Sequence, residues 1–333
     1  MKIISPSARI MTELDQMSLA RRIEVCGRIC YKSEDKITAD SAKKFAGGMV
    51  KNRHNSTLEM APVTMLVVVH ASNPCLIGLT KHHQMILDLF EVCPKYLVVD
   101  SLGGSRYLVS GTIRAFRELV MEHRGCELGW IMAAELWASG LFNDITPPEF
   151  GMSTDVSARK FSLGEIDALP PGLHLRHRQV SAKFIVNRAV THEIVRHRPC
   201  SYLQESQRYC RYDQDQFGNE VTFIKPMFFS EDSEEYRLWQ QAMEQTERIY
   251  LKLLETSSPQ AARTVLPNSC KTEIIMQANL VEWEHFFHLR CSEAAEPSMR
   301  EVTIPLREMF CRMFPQHSFD RRMPEGWVEK TVQ

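Results

Sequence analysis

Residues 192–212 read HEIVRHRPCSYLQESQRYCRY and place a dense group of basic side chains just beyond a predicted helix. A planar guanidinium donates paired hydrogen bonds whose spacing matches phosphate oxygens. In a protein of formal net charge -1, this local clustering predicts a site for a phosphate-rich ligand. The basic residues, interleaved with Ser201, Ser206 and Tyr209, are Arg196, His197, Arg198, Arg208 and Arg211.

The same arginines have a second interpretation. Acidic side chains lie among them in sequence, at Glu193, Glu205 and Asp213. Ion pairs between these groups would make the stretch a charged, solvent-exposed loop that binds no ligand and contributes little to stability. The residues alone leave both interpretations open.

The pattern along the chain predicts an α+β fold. Residues 62–69, rich in β-branched side chains, and residues 180–186 predict strands, and Gly103-Gly104 between YLVVD and RYLVS predicts a hairpin. Helices are predicted over residues 17–32, 40–52, 76–92, 112–139, 188–196, about 280–291 and about 300–314. Asp232 or Ser233 is expected to cap a further long helix. Residues 144–175 are predicted to be irregular, and no regular βαβ alternation is visible.

Composition excludes several classes of function. The 333 residues contain no apolar run near the roughly 18 residues that a membrane span needs. The N-terminus lacks the pattern of a secretory signal, so we expect a cytoplasmic protein with no membrane partner. Near-neutral net charge argues against broad nucleic-acid binding. The ten cysteines form no C-x-x-C pair, so we expect no metal site and a reducing compartment.

Arg196-His197-Arg198, then seven residues, then Ser206, form a long and chemically unusual pattern. It resembles the signature of the flavin-dependent thymidylate synthases, which is RHR, seven residues of any kind, and Ser. A second RHR, at residues 176–178, lacks this spacing because the eighth residue after it is Val186, and we expect it to lead into a strand. Other segments that resemble the family, in its order, are residues 54–64, 261–267 and 279–301.

The resemblance covers roughly residues 1–70 and 178–315. It implies one domain over residues 1–333 with the fold of the thymidylate-synthase-complementing proteins, a mixed sheet packed with long helices. Residues 71–177 are interpreted as a mostly helical insertion that is atypical of the family. The resemblance also implies a homotetramer whose active sites are shared between subunits.

The implied reaction is the reductive methylation of dUMP to dTMP. The folate 5,10-methylenetetrahydrofolate provides the carbon, reduced FAD provides the hydride, and NADPH reduces the FAD. The sequence has no G-x-G-x-x-G, which agrees with the family's non-Rossmann flavin site. Arg290 matches the arginine that contacts the uracil ring and is the implied catalytic residue.

The resemblance implies two overlapping groups of binding residues. Those for the flavin are Arg196, His197, Arg198, Gln204, Asn279 and His285. Those for dUMP are Glu193, Gln204, Glu205, Ser206, Gln207, Arg208, Arg263 and Arg290. Positions 279, 282, 286 and 290 share one helical face, so we expect Arg290 to be presented together with Asn279.

Some positions depart from the family pattern. Met60 stands where many members have a histidine near the flavin, and we interpret it as a packing residue. Gln204 and His285 stand where Glu and Asn are frequent. Cys200 and Cys210 lie inside the motif, but no neighbouring base is evident in the sequence, so we expect neither to be a nucleophile.

Two other functions stay open on the residues alone. One is a flavoprotein that modifies a different pyrimidine nucleotide. The other is a non-catalytic nucleotide- or RNA-binding relative that uses the arginines on phosphates.

Overall fold

The computed structural model describes residues 1–70, 97–147, 156–213 and 218–319. The strands among them are β1 (Lys2–Ile4), β2 (Ser7–Ile10), β3 (Pro62–Val69), β4 (Val98–Gly103), β5 (Arg106–Thr112), β6 (Val156–Lys160), β7 (Gln179–Asn187), β8 (Ser201–Gln204), β9 (Thr222–Ile224) and β10 (Lys271–Asn279). The α-helices among them are α1 (Leu19–Tyr31), α2 (Ser41–Lys51), α3 (Asn55–Leu58), α4 (Ile113–Glu122), α5 (Glu127–Leu136), α6 (Leu163–Asp167), α7 (Pro171–His177), α8 (Arg188–Ile194), α9 (Glu234–Leu254), α10 (Pro259–Ala262), α11 (Leu280–Arg290) and α12 (Pro297–Met313).

The chain forms two compact units. The first unit consists of Met1–Met11, Ile29–Lys32 and Val180–Gln333, and the second consists of Thr12–Arg28 and Ser33–Gln179. Among the described residues, no helix is both long enough and apolar enough to cross a bilayer.

The first unit is built on a four-stranded sheet in the order β2-β7-β10-β8. Strand β2 pairs with β7 and β8 pairs with β10, in both cases antiparallel, while β1 and β9 form a separate parallel pair. The two central strands each lead directly into a helix. Asn187 caps α8 by accepting a hydrogen bond from the Val190 amide at 2.9 Å, and Asn279 caps α11 in the same way from Glu282.

Helix α11 packs into the first unit through aromatic side chains. Its Trp283 donates a hydrogen bond from Nε1 to the Val180 carbonyl at 3.0 Å, and the Trp283 ring lies 4.8 Å from that of Phe310 on α12. Burial of each large apolar side chain is worth about 1.5–3 kcal/mol, so this cluster holds α11 firmly in place. Its fully buried members are Trp283, Phe286, Phe287, Phe310 and Phe319.

The second unit contains an antiparallel sheet in the order β4-β5-β3-β6. Gly103 and Gly104 form the turn between β4 and β5 with φ values of 77° and 58°, a left-handed conformation that favours glycine. The hydrophobic core of this unit includes Met65 and Val67 of β3 and Phe116 of α4, all fully buried.

Most predicted elements are present with shifts of a few residues at their ends. The hairpin around Gly103-Gly104 and the strand over residues 62–69 are confirmed. Met60 is fully buried, as expected of a packing residue. Of the two predicted caps, Ser233 begins α9, and its hydroxyl accepts a hydrogen bond from the Tyr236 amide at 3.1 Å. The helix predicted over residues 76–92 lies outside the described residues.

Two expectations were wrong in detail. Residues 112–139 form two helices rather than one, since the segment His123-Arg124-Gly125-Cys126 separates α4 from α5 and glycine disfavours the helix interior. Residues 144–175 are not irregular throughout, because they contain β6, α6 and the start of α7. Ser162 and Glu165 form a capping box at α6, a local helix signal that the prolines on either side outweighed in the prediction.

The segment 71–177 contains strands as well as helices in its described part. Strands β4 and β5 and helices α4 to α7 fall within it, and β6 pairs with β3 from Met65↔Lys160 to Val69↔Val156. The segment therefore extends a sheet that begins outside it.

We predict that Ser233→Ala lowers the free energy of unfolding by about 1 kcal/mol, since the Tyr236 amide loses its cap. Urea denaturation measures the change. Asp232→Ala is the matched control at the neighbouring position and should have little effect, and equal losses in both variants would contradict the assignment of the cap.

Candidate active site

The basic motif occupies α8, the loop after it, β8 and the following loop. Helix α8 ends at Ile194, and Tyr202 on β8 fixes the loop between them, because its one hydroxyl proton is shared between the carbonyl oxygens of Ile194 and His197, at 2.9 and 2.7 Å. Burial raises the pKa of the Tyr202 hydroxyl well above its ordinary range, so the group stays a donor. The loop conformation is therefore defined by the motif itself.

Four arginines of the predicted site have no acidic partner among the described residues. Arg196, Arg198 and Arg208 are exposed, and Arg263, directly after α10, is partly buried. Within the described ranges none of their guanidinium groups forms an ion pair or a hydrogen bond, although that of Arg208 lies 5.6 Å from the centre of the Tyr209 ring. These four groups are therefore available to an anion.

The acidic residues of the stretch are engaged elsewhere, with one exception. Arg211 pairs with Asp213 at 2.7 Å, as the charged-loop interpretation expects. Glu193 instead binds Arg290 of α11, and Glu205 binds Lys271 of β10 at 2.8 Å. The geometry thus favours the anion-site interpretation for Arg196, Arg198 and Arg208.

Arg290 joins the end of α11 to the motif. Its Nη1 donates to Glu193 Oε2 at 2.6 Å, its Nη2 to the Glu193 carbonyl at 3.0 Å, and its Nε to His197 Nε2 at 2.9 Å. A guanidinium has five N–H donors, so these contacts fix its plane and leave two donors for another group.

His197 is buried and uncharged at neutral pH. Burial first, and then the nearby charge of Arg290 and the ring of His285, lower its pKa from 6.5 to about 3. Because Nε2 accepts from Arg290, the proton of the neutral ring lies on Nδ1. The His197 ring also packs against Phe286, with 4.9 Å between centres, which orients it further.

The polar residues at the end of β8 and directly after it differ in how completely their side chains are hydrogen-bonded. The amide of Gln204 donates to Thr191 and Thr272 hydroxyls at 3.0 and 3.2 Å. Ser206 Oγ accepts from the Arg208 amide at 3.3 Å. Gln207 is only 8% exposed, and its Nε2 has no hydrogen-bond partner among the described residues. An unsatisfied buried donor beside unpaired arginines fits a phosphorylated ligand such as FAD or dUMP.

Asn279 and His285 lie at different positions along the axis of α11. Asn279 is its cap and Arg290 its last residue, so the two share a face but stand about 16 Å apart along the axis. His285 lies closer to the motif, with its ring centre 5.8 Å from that of His197. The structure therefore brings Arg290, His285, His197 and Glu193 together, whereas the described contacts do not join Asn279 or Arg263 to them.

Neither motif cysteine has the environment of a nucleophile. Burial raises the pKa of Cys200 well above its ordinary range, and burial followed by the charge of Glu205 raises that of Cys210 to about 12. Both thiols therefore stay protonated at neutral pH, which agrees with the sequence expectation.

The second RHR, at residues 176–178, has a structural role in the second unit. His177 is fully buried, where its ring nitrogens contact Ser110 Oγ at 2.7 Å and Asp100 at 3.0 Å. Arg178 pairs with Asp15. The motif lies at the end of α7, directly before β7, as its predicted role requires.

A cavity of about 250 Å³ also lies in the first unit, lined in part by Phe228, Phe229, Trp239 and Glu301. None of the predicted site residues lines it. This cavity is therefore not the site that the sequence predicts.

The sequence analysis did not identify the residues of β8 and β10 that hold the motif in place. Lys271 and Glu273 lie on β10, where Glu273 is 6% exposed, and Tyr202 lies on β8. The signal was present in KTEIIMQAN, since charged residues at the start of an otherwise buried strand need partners.

Within the described residues, the unpaired guanidinium groups and the buried amide of Gln207 make this segment a candidate anion site on an α+β scaffold. Residues 174–316 match the family described as thymidylate synthase complementing protein.

Curated relatives agree with this match. The chain is 40% identical over 123 residues to a flavin-dependent thymidylate synthase of Pyrococcus furiosus, which is 37% of this chain and 50% of the relative. It is 36% identical over 122 residues to one of Geobacter sulfurreducens, covering 36% of this chain and 51% of the relative. The chain spans about half the length of the curated relatives it matches.

Among solved structures, the chain is similar to a UMP/dUMP methylase of Streptomyces cacaoi bound with 5-Br UMP. The TM-score is 0.36 and the sequence identity 19%, with 45% of this chain and 77% of that one covered.

We predict that the stability of the protein falls as the pH drops from 6.5 towards 3, partly because of His197. The unfolded histidine binds a proton over this window and the folded one does not, so stability is present above 6.5 and is lost below it. The contribution has a slope of at most about 1.4 kcal/mol per pH unit. In His197→Gln, which keeps an acceptor for Arg290 but does not titrate, urea denaturation should show a weaker pH dependence.

His192→Gln, at an exposed histidine of α8 five residues before His197, is the matched control for this series. A pH dependence identical in wild type and His197→Gln would show that His197 does not titrate in this way.

Proposed function

We propose that the protein is a flavin-dependent thymidylate synthase that converts dUMP to dTMP. One observation carries the proposal: Arg196, Arg198 and Arg208 of the family-matched segment have no acidic partner among the described residues, while Arg290 is held against the same motif. A site for two phosphorylated ligands requires such uncompensated cations.

Bound FAD would supply the hydride, with 5,10-methylenetetrahydrofolate as carbon donor and NADPH as reductant. In the proposal Arg196, His197 and Arg198 hold the flavin, and Gln204, Asn279 and His285 add contacts. His197 is suited to this task since it is neutral and its Nδ1 proton points away from Arg290.

The nucleotide is proposed to bind along the loop after β8. Ser206, Gln207 and Arg208 supply a hydroxyl, a buried amide and a guanidinium, with Arg263 as a second cation. Glu205 takes part through its main chain, because its side chain is 2% exposed and already bound to Lys271 and Tyr212.

Arg290 is proposed to act on the uracil ring with the two guanidinium N–H donors that bind neither Glu193 nor His197. Glu193 thereby has an orienting role. A fixed cation at the uracil carbonyl and imide stabilises the negative charge that develops there, which makes carbon 5 more nucleophilic. Such preorganised electrostatics contribute about 3 kcal/mol when a single donor is removed from an active site.

The proposal extends to assembly and location. In the proposal, residues of neighbouring subunits complete each site in a homotetramer. We also propose one domain over residues 1–333, with 71–177 as a family-atypical part, and a cytoplasmic location.

We predict that the FAD-loaded protein releases tritium from carbon 5 of labelled dUMP and forms dTMP when it is supplied with NADPH and methylenetetrahydrofolate. Arg290→Ala should lower kcat about 100-fold while the bound flavin is retained, because the ring loses its cation. Tritium release with a product other than dTMP would indicate modification of the nucleotide by another route. A protein that binds nucleotides but takes up no flavin would support the non-catalytic alternative.

We predict that Arg198→Ala loses flavin, measured by the visible absorbance of the purified protein. Loss of one charged hydrogen-bonding group weakens binding by about 1.5–3 kcal/mol, which is at least tenfold in the dissociation constant. Arg248→Ala, at a helical arginine that contacts only Gln245 among the described residues, is the matched control. Flavin retention equal in both variants would remove Arg198 from the proposed flavin site.

A further inference from the structure

A buried ionic network lies beneath the loop that carries Ser206 and Arg208. We refer to it as the lysine–glutamate network. All its members belong to the first unit, and most of their side chains are largely withdrawn from solvent. They are Lys32, Lys183, Lys271, Glu205 and Glu273.

Lys271 is the centre of this network. Its Nζ lies 2.8 Å from Glu205 Oε2 and 2.7 Å from Glu273 Oε1. Glu273 also pairs with Lys32 through Oε1 and with Lys183 through Oε2. Each carboxylate is thus held by at least one ammonium group, and Glu273 by three.

Glu273 and Lys271 stay charged at neutral pH. Burial alone would raise the pKa of Glu273, but Lys271, Lys32 and Lys183 outweigh it and hold this pKa well below its ordinary range. Burial alone would lower the pKa of Lys271, but Glu205 and Glu273 raise it. Both groups therefore keep their charges in a mostly buried setting.

A neutral donor completes the contacts of Glu205. The Tyr212 hydroxyl donates to Glu205 Oε1 at 3.0 Å. Burial first, and then the charge of Glu205, raise the pKa of Tyr212, which keeps this hydroxyl protonated. Both oxygens of the Glu205 carboxylate are therefore engaged.

The main chain of the loop is fixed at the same place. The Glu205 amide donates to the Glu273 carbonyl at 2.8 Å, and the Ser206 amide donates to the Cys30 carbonyl at 3.0 Å. Directly before them, Gln204 pairs with Ile274 in the sheet. Glu205 is thus held by its backbone and by its side chain, directly before Ser206, Gln207 and Arg208.

Stability alone does not account for a network of this kind. Replacement of a buried ion pair by well-packed apolar residues is often neutral or stabilising, because desolvation of the charges offsets their attraction. Charged, hydrogen-bonded groups differ from apolar ones because their contacts are directional: a hydrogen bond weakens steeply outside a limited range of distance and angle, whereas apolar packing does not depend on angle in this way.

We propose that Lys271 and Glu273 are positioning residues for the nucleotide site: through Glu205 they hold the loop so that Ser206, Gln207 and Arg208 face the phosphate of the substrate. The inference rests on the proposed function for the identity of the ligand. Its structural half, that the network fixes the loop, stands on the contacts above.

The test compares Lys271→Met with Lys271→Arg in the full-length, FAD-loaded protein. Amide hydrogen exchange of residues 205–210, read by mass spectrometry, reports on the loop, and titration calorimetry gives the Kd for dUMP. Lys271→Met should speed exchange in this segment and raise the Kd about tenfold or more, as loss of a charged hydrogen-bonding partner does. At saturating dUMP, kcat should stay within about threefold of wild type, because Arg290 is untouched.

Lys271→Arg keeps the charge and should restore both exchange and Kd towards wild type. Lys252→Met, at an exposed lysine paired with Glu255, is the matched control and should change neither. Should Lys271→Met fail to fold, Glu205→Gln, which removes the anion but keeps the shape, must show the same pair of effects.

The outcomes separate the two claims. If the wild type binds no dUMP, the proposed function fails, while the exchange data still decide whether the network fixes the loop. If wild type binds dUMP and Lys271→Met changes only the unfolding temperature, with loop exchange and Kd unaltered, the network is merely structural and the inference is overturned.

Discussion

The contact of Arg290 with Glu193 and His197 is the constraint on which the candidate site depends. It joins the last residue of α11 to α8 and the loop after it, two parts of the sequence that are about a hundred residues apart. The aromatic packing of Trp283 and Phe286 sets the position of α11 on the sheet, and the ion pair sets the direction of the guanidinium at its end. Because His197 is neutral, the contact adds no second cation that would repel Arg290.

Polar groups around the motif fall into two classes. Those that shape it, such as Tyr202, Gln204 and Glu205, have their hydrogen bonds completed within the first unit. The second class has incomplete hydrogen bonding in the described part of the chain, and its members are the guanidinium groups of Arg196, Arg198 and Arg208 and the buried amide nitrogen of Gln207. The completed hydrogen bonds of the first class fix the backbone that carries the second, which reduces the backbone entropy lost when a ligand is bound.

Several elements were predicted from the sequence because their signals are local. Ser233 is an N-cap residue at the start of a periodic segment, and Gly103-Gly104 requires left-handed backbone. Pairings between distant residues left no such signal. From the sequence alone, Glu193, Glu205 and Asp213 were equally good partners for the nearby arginines. Only the fold shows that Arg290 binds Glu193 and that Lys271 binds Glu205. The order of strands in both sheets was likewise beyond local patterns, since it depends on which apolar faces meet.

In the loop after β8, an exposed guanidinium and a buried amide differ in the free energy that they gain when a ligand binds. An exposed guanidinium is hydrated in the free protein, so Arg208 gains from an anion only the difference between water and phosphate. Gln207 is different, because a buried donor without a partner costs about 1–3 kcal/mol in the free protein. A ligand that reaches Gln207 removes this cost, whereas one that touches only the surface arginines does not. The loop should therefore discriminate in favour of a small ligand that enters it and against an extended polyanion that lies across it, a preference that the near-neutral net charge of the whole chain reinforces.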